Sequence, residues 1–473
     1  MEGNNHLIIF KTSTINRKFI SFFSFICICF FAIGSDLFGQ AMDTIPTGVR
    51  LATFDIDATP PVGSLLTYNK EINTWDLGLR AKGAILLGSG EPIVLCSVDW
   101  IGIANEGQDI FRQALADAAG TIPSRVALHT VHQHDAPTCD FGAEKMLRDA
   151  GRDPMCFEGT FAREMVIRLK AAVKQSLEHT QPVTHIGLGE ADVYKVASNR
   201  RIIGNDGLLK ATRYSSCKDS ALIAEPEGLI DPMVSLVSFW NNDKPIAVLS
   251  YYATHPQSYY RTGVANPDYP GVARFMRQLA VPSALHIHFN GAGGNITAGK
   301  YNDGSPEMRG ILADRLADGM KRAWEATKRE PITAEEIAWK VEPLALPSLP
   351  NQAEMQTWMA TKDSIFLSNN LSKLVYLRRS QAGKQLDVRC LRLGRGRILF
   401  APGELFVEYQ LAAKAIRPDL FIAMAAYGDY APGYICTAVA YKEGGYESGV
   451  ASGVTADAEA VVMTAIRKLL RSY

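Results

Sequence analysis

The chain has 473 residues, 47% of them hydrophobic and 21% charged, an ordinary globular profile with enough apolar mass for a sizeable core. Lys and Arg together number 49, and so do Asp and Glu. That balance excludes any overall electrostatic pull toward nucleic acid or an anionic membrane surface.

The first element precedes the fold. Lys11, Arg17 and Lys18 come before the apolar run FISFFSFICICFFAIG, residues 19–34, and SDLFGQAM follows it. A basic stretch, an apolar run of about 15 residues and a short polar tail describe a secretory signal. The competing reading is an uncleaved anchor, but a membrane span needs about 20 apolar residues. The expectation is a signal at 1–41, cleaved near Gly39 to Ala41, and one domain over 42–473. The mature chain would then be secreted or periplasmic, with no transmembrane segment. Cys27 and Cys29 leave with the signal. The other cysteines are too sparse for a disulfide scaffold and form no CxxC pair. Cys139 and Cys156 flank one loop and could pair in an oxidising compartment.

AILLGSGEPIVLCSVDWIGIA reads as two strands around a turn, and EGQDIFRQALADAA as a helix. RVALHTV is a further strand and FAREMVIRLKAAVKQSLEH an amphipathic helix. PMVSLVSFWNNDKPIAVLSYYATHP is a hairpin turning at Asn241, Asn242 and Asp243. SALHIHF is a strand running into a glycine cluster, and a long helix follows from Ser305 and Pro306. VRCLRLGRGRILFAPGE is a second hairpin with a helix after it, and DAEAVVMTAIRKLLRS closes the chain as a helix. No repeat is visible. Strands followed by helices argue for one α/β architecture, a single large domain of mixed sheets flanked by helices. Residues 345–385 fit a helical excursion or a lid.

In such folds function collects where strands run out into loops. The strand at 125 ends in VHQHDAP, which puts His132 and His134 on one face. They could share a metal, or one could bind it while the other handles protons; a pair of polar loop histidines is the plain alternative. His255 arrives at the end of the next hairpin. The glycine cluster contains a GxxxxGK pattern, Gly294 to Lys300, but Tyr301 stands where a phosphate loop needs Ser or Thr, so that reading fails. Glu404 opens a helix after Pro402 and Gly403, where a carboxylate also suits the helix dipole. Tyr427, Tyr430, Tyr434, Tyr441 and Tyr446 crowd the last loop. Imidazole and carboxylate suit zinc, and an open position beside three protein ligands suits catalytic zinc. Such an ion lowers the pKa of bound water to about 7 and polarises a carbonyl, which is hydrolysis chemistry.

These pieces resemble, in order, the motifs of the neutral (non-lysosomal) ceramidase family, whose members use zinc to cleave the amide of ceramide. VHQHDAP resembles its THTHSGP, and Ser97-Val98-Asp99 its SVD. Asn199-Arg200 resembles its NRS, HPQS from His255 its HPTS, and Pro402-Gly403-Glu404 its PGE. Tyr434, Ile435, Thr437, Tyr441, Tyr446 and Glu447 match its late tyrosine block. The resemblance implies zinc ligands His132, His255, Glu404 and Tyr434, with His134 as acid/base. Arg200, Tyr446 and Thr297 would steady the oxyanion. Three departures stand out. The family's GDVSPN serine loop is GNITAGK here, with Thr297 for the serine and Asn295 for the aspartate. Asp135 is added beside the site, and nothing matches the family's C-terminal immunoglobulin-like domain. The resemblance implies ceramidase-like cleavage, of ceramide to sphingoid base and fatty acid or of another small or lipid-like amide, and the balanced charge implies no nucleic-acid partner. An ester, a glycan or cell-wall amide, or a non-catalytic binding role on the same scaffold are the alternatives.

Overall fold

Apolar residues alternate along the strands, and each strand therefore serves two cores. In Ile93–Val98, Ile93 and Leu95 enter one cluster while Val94, Cys96 and Val98 enter another. In Lys244–Tyr252, Ala247, Leu249 and Tyr251 face the first of these, and Val248 and Tyr252 face away. Ile398 and Phe400 likewise oppose Leu399. The structure is a computed structural model and describes residues 48–472 apart from 349–356, 358, 359 and 362. The expected signal lies outside the described residues.

The main strands form two five-stranded sheets and one four-stranded sheet. Their inner faces share a single cluster, from Leu51 and Leu95 through Phe239 and Phe289 to Ile398 and Phe400. Helices cover the outer faces: Asn105–Ala119 and Thr160–Leu177 on the first sheet, Asp268–Ala280 and Glu307–Glu325 on the second, Val407–Ile416 and Ala458–Arg471 on the third. This is the α/β architecture of mixed sheets flanked by helices that the sequence predicts.

The structure does carry a repeat, contrary to the sequence reading. In each sheet an antiparallel hairpin leads through a helix to an edge strand parallel to the hairpin's second arm. The arms and edge strands are Ile93–Val98 with Val126–Thr130, Lys244–Tyr252 with Leu285–Asn290, and Gly396–Phe400 with Phe421–Ala425. The repetition lies in topology, which requires only period-two apolar patterning, so no residue identities need recur. The edge strands meet at their C-terminal ends. Thr130 N donates to Tyr427 O (3.0 Å), Ala426 N to Asn290 O (2.9 Å), and Asn290 Nδ2 to Val131 O (3.2 Å). Loops from all three units therefore open on one side.

Within 345–385, the helix Ser364–Gln381 packs Leu367, Leu371 and Leu374 against Ala143, Leu147 and Phe157, so its described part is a helical excursion fixed to the body. Cys139 is a free thiol in the first sheet's outer core, whereas Cys156 belongs to this separate cluster, and the two do not pair. Among the described residues no helix is long and apolar enough to cross a membrane.

Candidate metal centre

Each unit sends one side chain to a common point. His132 follows Val126–Thr130 in a left-handed turn (φ 74°), and its amide donates to Trp100 O at 2.9 Å. Its Nδ1–H donates to the Ile101 carbonyl at 2.8 Å; a carbonyl can only accept, so Nε2 is left as the bare nitrogen. His255 follows Lys244–Tyr252, with the Gly293 and Ile296 carbonyls 2.8 and 3.2 Å from Nδ1. Glu404 follows Gly396–Phe400 and lies in a short strand paired in parallel with Tyr434–Ile435, register Glu404 to Tyr434. That register brings the phenol beside the carboxylate.

The atoms that meet are buried. Glu404 Oε2 lies 3.4 Å from His132 Nε2 and 3.1 Å from His255 Nε2, and Tyr434 OH lies 3.3 Å from His255 Nε2. Tetrahedral ligands with bonds of 2.0–2.1 Å stand about 3.3 Å apart, so these separations fit the edges of a zinc-sized site. Glu404 Oε1 accepts from Tyr430 OH at 2.9 Å, but Oε2 has no hydrogen-bond partner. An orphaned carboxylate oxygen between two imidazoles is the mark of a cation site. The nitrogens of His132, His134 and His255 lie within 4.8 Å of one another, a buried group that could hold a metal.

Burial pushes the Glu404 carboxyl up, but the His132 and His255 rings beside it outweigh burial and hold it well below the usual carboxylate range. His255 is pushed down to about 4, first by burial and then by Arg200, whose Nη2 lies 2.7 Å from Nδ1. His134 is held well below its ordinary value by burial and then by the two neighbouring imidazoles. Neutral imidazoles beside an ionised carboxylate are the forms that bind a divalent cation.

A cavity of about 560 Å³ opens from this point, within the range that takes drug-sized ligands. Arg200 lines it, donating from Nη1 to Tyr434 OH at 3.2 Å and also to Tyr446 OH. Seven of the expected residues thus meet here: His132, His134, His255, Glu404, Tyr434, Arg200 and Tyr446.

Thr297 does not join them. Its hydroxyl donates to Arg213 O (3.2 Å) and accepts from Gly299 N (3.3 Å), and it does not line the cavity. The glycine loop serves as scaffold instead. A Cβ on Gly294 would stand 2.5 Å from Glu404 O, and Asn295 Oδ1 accepts from Val407 N at the start of the next helix. Lys300 Nζ donates to the Ile223 and Glu225 carbonyls, which agrees with rejecting a phosphate loop. His129 turns into the core, 2.7 Å from Ala426 O between Phe289 and Phe400. Asp99 grips Arg274 through two contacts of 2.7 and 2.6 Å.

The sequence reading missed Tyr68, Tyr260, Arg261 and Lys373, which also line the cavity. Tyr68 and Tyr260 flank His134 at 6.1 and 5.5 Å between ring centroids, and Tyr427 stacks on His132 at 4.4 Å. Tyr427 and Tyr430 lay within the noticed tyrosine loop; Tyr68, in a short turn with no periodic pattern, gave no signal.

No protein-family model matches the chain, and neither does any curated protein. Solved structures do. The neutral ceramidase from Pseudomonas aeruginosa superposes with a TM-score of 0.64 over 90% of this chain and 75% of that one, at 15% sequence identity. A structure described as a ceramidase complexed with C2 gives 0.62 with the same coverage and identity. At that identity the likeness is one of fold, and it is the fold the motifs led us to expect.

Proposed function

We propose that this chain is an exported zinc-dependent hydrolase that cleaves the amide bond of an N-acyl compound. The observation that carries the reading is Glu404 Oε2, buried without a hydrogen bond and within 3.4 Å of two imidazole nitrogens. His132, His255, Glu404 and Tyr434 would hold the ion, and a set of imidazole, carboxylate and phenol suits zinc. When bound, zinc supplies Lewis acidity and a nucleophilic water near neutral pH.

The remaining steps belong to side chains. His134 is neutral at rest and lines the cavity, so it can take a proton from the attacking water and return it to the leaving amine. Arg200 and Tyr446 donate toward the carbonyl oxygen as negative charge builds on it. Tyr427 and the Ile101 carbonyl hold the ring of His132 in place. The signal at 1–41 would deliver the protein outside the cytoplasm.

The test pairs two variants with metal analysis and with acid release from ceramide and a panel of simpler amides and esters. His132→Ala should lose metal and turnover together, and His134→Ala should keep metal and lose turnover. Equal metal loss in both would refute the division of labour.

A further inference from the structure

The proposed chemistry leaves Arg261, one of the basic residues of the cavity, without a role. Its guanidinium lies 4.3 Å from the Tyr68 ring centroid and 5.3 Å from that of Tyr260, the two rings that flank His134. Its backbone is left-handed (φ 63°), a conformation that non-glycine residues seldom adopt. Asp135 holds that turn: its carboxylate accepts from Arg261 N (2.8 Å), Thr262 N (3.2 Å) and Thr262 Oγ1 (2.7 Å). Asp135 directly follows His134, so the strand end that supplies the imidazoles also fixes the arginine. Among the described residues the Arg261 guanidinium has no carboxylate partner.

An arginine meant only for solvent needs neither a strained turn nor two supporting rings. The rest of the cavity points the same way. Its charged lining is Arg200 and Arg261, with Lys373 lowered by burial to about 7, against Glu404 and Asp363, before any metal ion is added. Among the described residues its non-aromatic apolar lining is small: Ile101, Cys156, Ala431, Val450 and Ala451. A neutral two-tailed lipid would find few partners there, whereas an anion would meet a planar donor fork pre-oriented on aromatic faces.

Resting on the hydrolase reading above, we infer that Arg261 binds an anionic group on the substrate beside the scissile bond, so that the preferred substrate class is an N-acyl amino acid. Water then adds across the C–N bond. Its hydroxyl goes to the acyl carbon and a proton to the nitrogen, which releases a carboxylic acid and a free amino acid.

The experiment compares the zinc-loaded protein on N-lauroylglycine and N-lauroylethanolamine, which share acyl chain and amide but differ in charge. Wild type should favour the glycine compound in kcat/KM. Arg261→Leu should lower the ratio of the two kcat/KM values about 10- to 100-fold, as loss of a charged hydrogen bond implies, with Arg261→Lys in between. A ratio unchanged in Arg261→Leu, or a wild-type preference for the uncharged amide, overturns the inference while leaving the hydrolase intact. If wild type cleaves neither compound, the wider panel of ceramide, amides and esters decides the hydrolase reading. Calorimetry then decides the anion site: tighter binding of N-lauroylglycine to wild type than to Arg261→Leu supports it, and equal affinity sinks it.

Discussion

Nε2 of His255 and Oε2 of Glu404 stand 3.1 Å apart, delivered from different sheets, and the carboxylate oxygen satisfies no donor. Two acceptor atoms this close need a cation between them or a proton on the ring. We expect Glu404→Gln, which keeps shape and removes charge, to weaken zinc binding at least 100-fold. Zinc at about a thousand times its Kd stabilises a folded site by about 4 kcal/mol. Thermal melts with and without zinc should therefore show a rise of several degrees in wild type and little in the variant. Equal rises would mean that zinc binds elsewhere.

Arg200 touches Tyr434, Tyr446 and His255 at once. If it faces the developing oxyanion, Arg200→Leu should lower kcat by about 10²–10³-fold, the effect of removing such a donor elsewhere. Metal content should survive, because the guanidinium is not a ligand. Steady-state kinetics beside metal analysis separate the cases. An unchanged kcat with a raised KM would make Arg200 a ground-state binding group only.

Gly294 tests how the scaffold sets the site. Its amide donates to Leu405 O at 2.8 Å, and an added methyl would meet Glu404 O at 2.5 Å and Leu405 O at 2.8 Å. Both obstacles are backbone and cannot swing aside. Gly294→Ala should cost roughly 1–3 kcal/mol in urea unfolding, as overpacking does, and should reduce zinc affinity by shifting Glu404. Gly310, with nothing within 4 Å of a new Cβ, is the control: Gly310→Ala should be neutral or slightly stabilising. Two equal effects would remove the claim that close approach matters at 294.

The parts that were legible share one property, a local pattern tied to a strand end. His132, His255 and Glu404 could be read as neighbours because each follows a strand in a fold whose strands deliver loops to one side. The unread parts depend on contacts across sequence. Nothing near Tyr68 says that its ring will flank His134, 66 positions away, because that contact arises only when a short turn docks on another sheet's loop. Thr297 was carried over by motif position, yet its hydroxyl is spent on Arg213 O, since its short strand pairs with Ser198–Asn199 and turns the side chain from the cavity. The three-unit repeat was invisible for a related reason: topology is conserved by alternation alone.

Acid should weaken the metal-free protein over a defined window. Burial lowers His129, His286 and His288 to about 3 and His255 to about 4, and it holds His134 well below its ordinary value. Between those values and the unfolded pKa of about 6.5, the unfolded chain binds protons that the folded chain refuses. Stability is then complete above about pH 6.5 and falls as pH drops toward 4, by roughly 1.4 kcal/mol per pH unit for each uncompensated histidine. Buried carboxyls oppose this: Asp140 is raised to about 7 and Asp429 to about 6, both by burial, with Asp135 and Glu408 raised in the same sense. The raised carboxyls bind protons in the folded state and gain stability on acidification. Across the window the five histidines act against these four carboxyls, of which Asp135 and Glu408 are raised less, and Glu404, held low, adds to the loss near its unfolded pKa. The urea midpoint of chelator-treated protein should therefore fall steadily from pH 6.5 to pH 4. A flat or rising midpoint would mean that the raised carboxyls prevail or that these imidazoles are protonated in the fold; histidine proton NMR shifts across the same range separate the two, and only the second would remove the neutral nitrogens a metal ion needs.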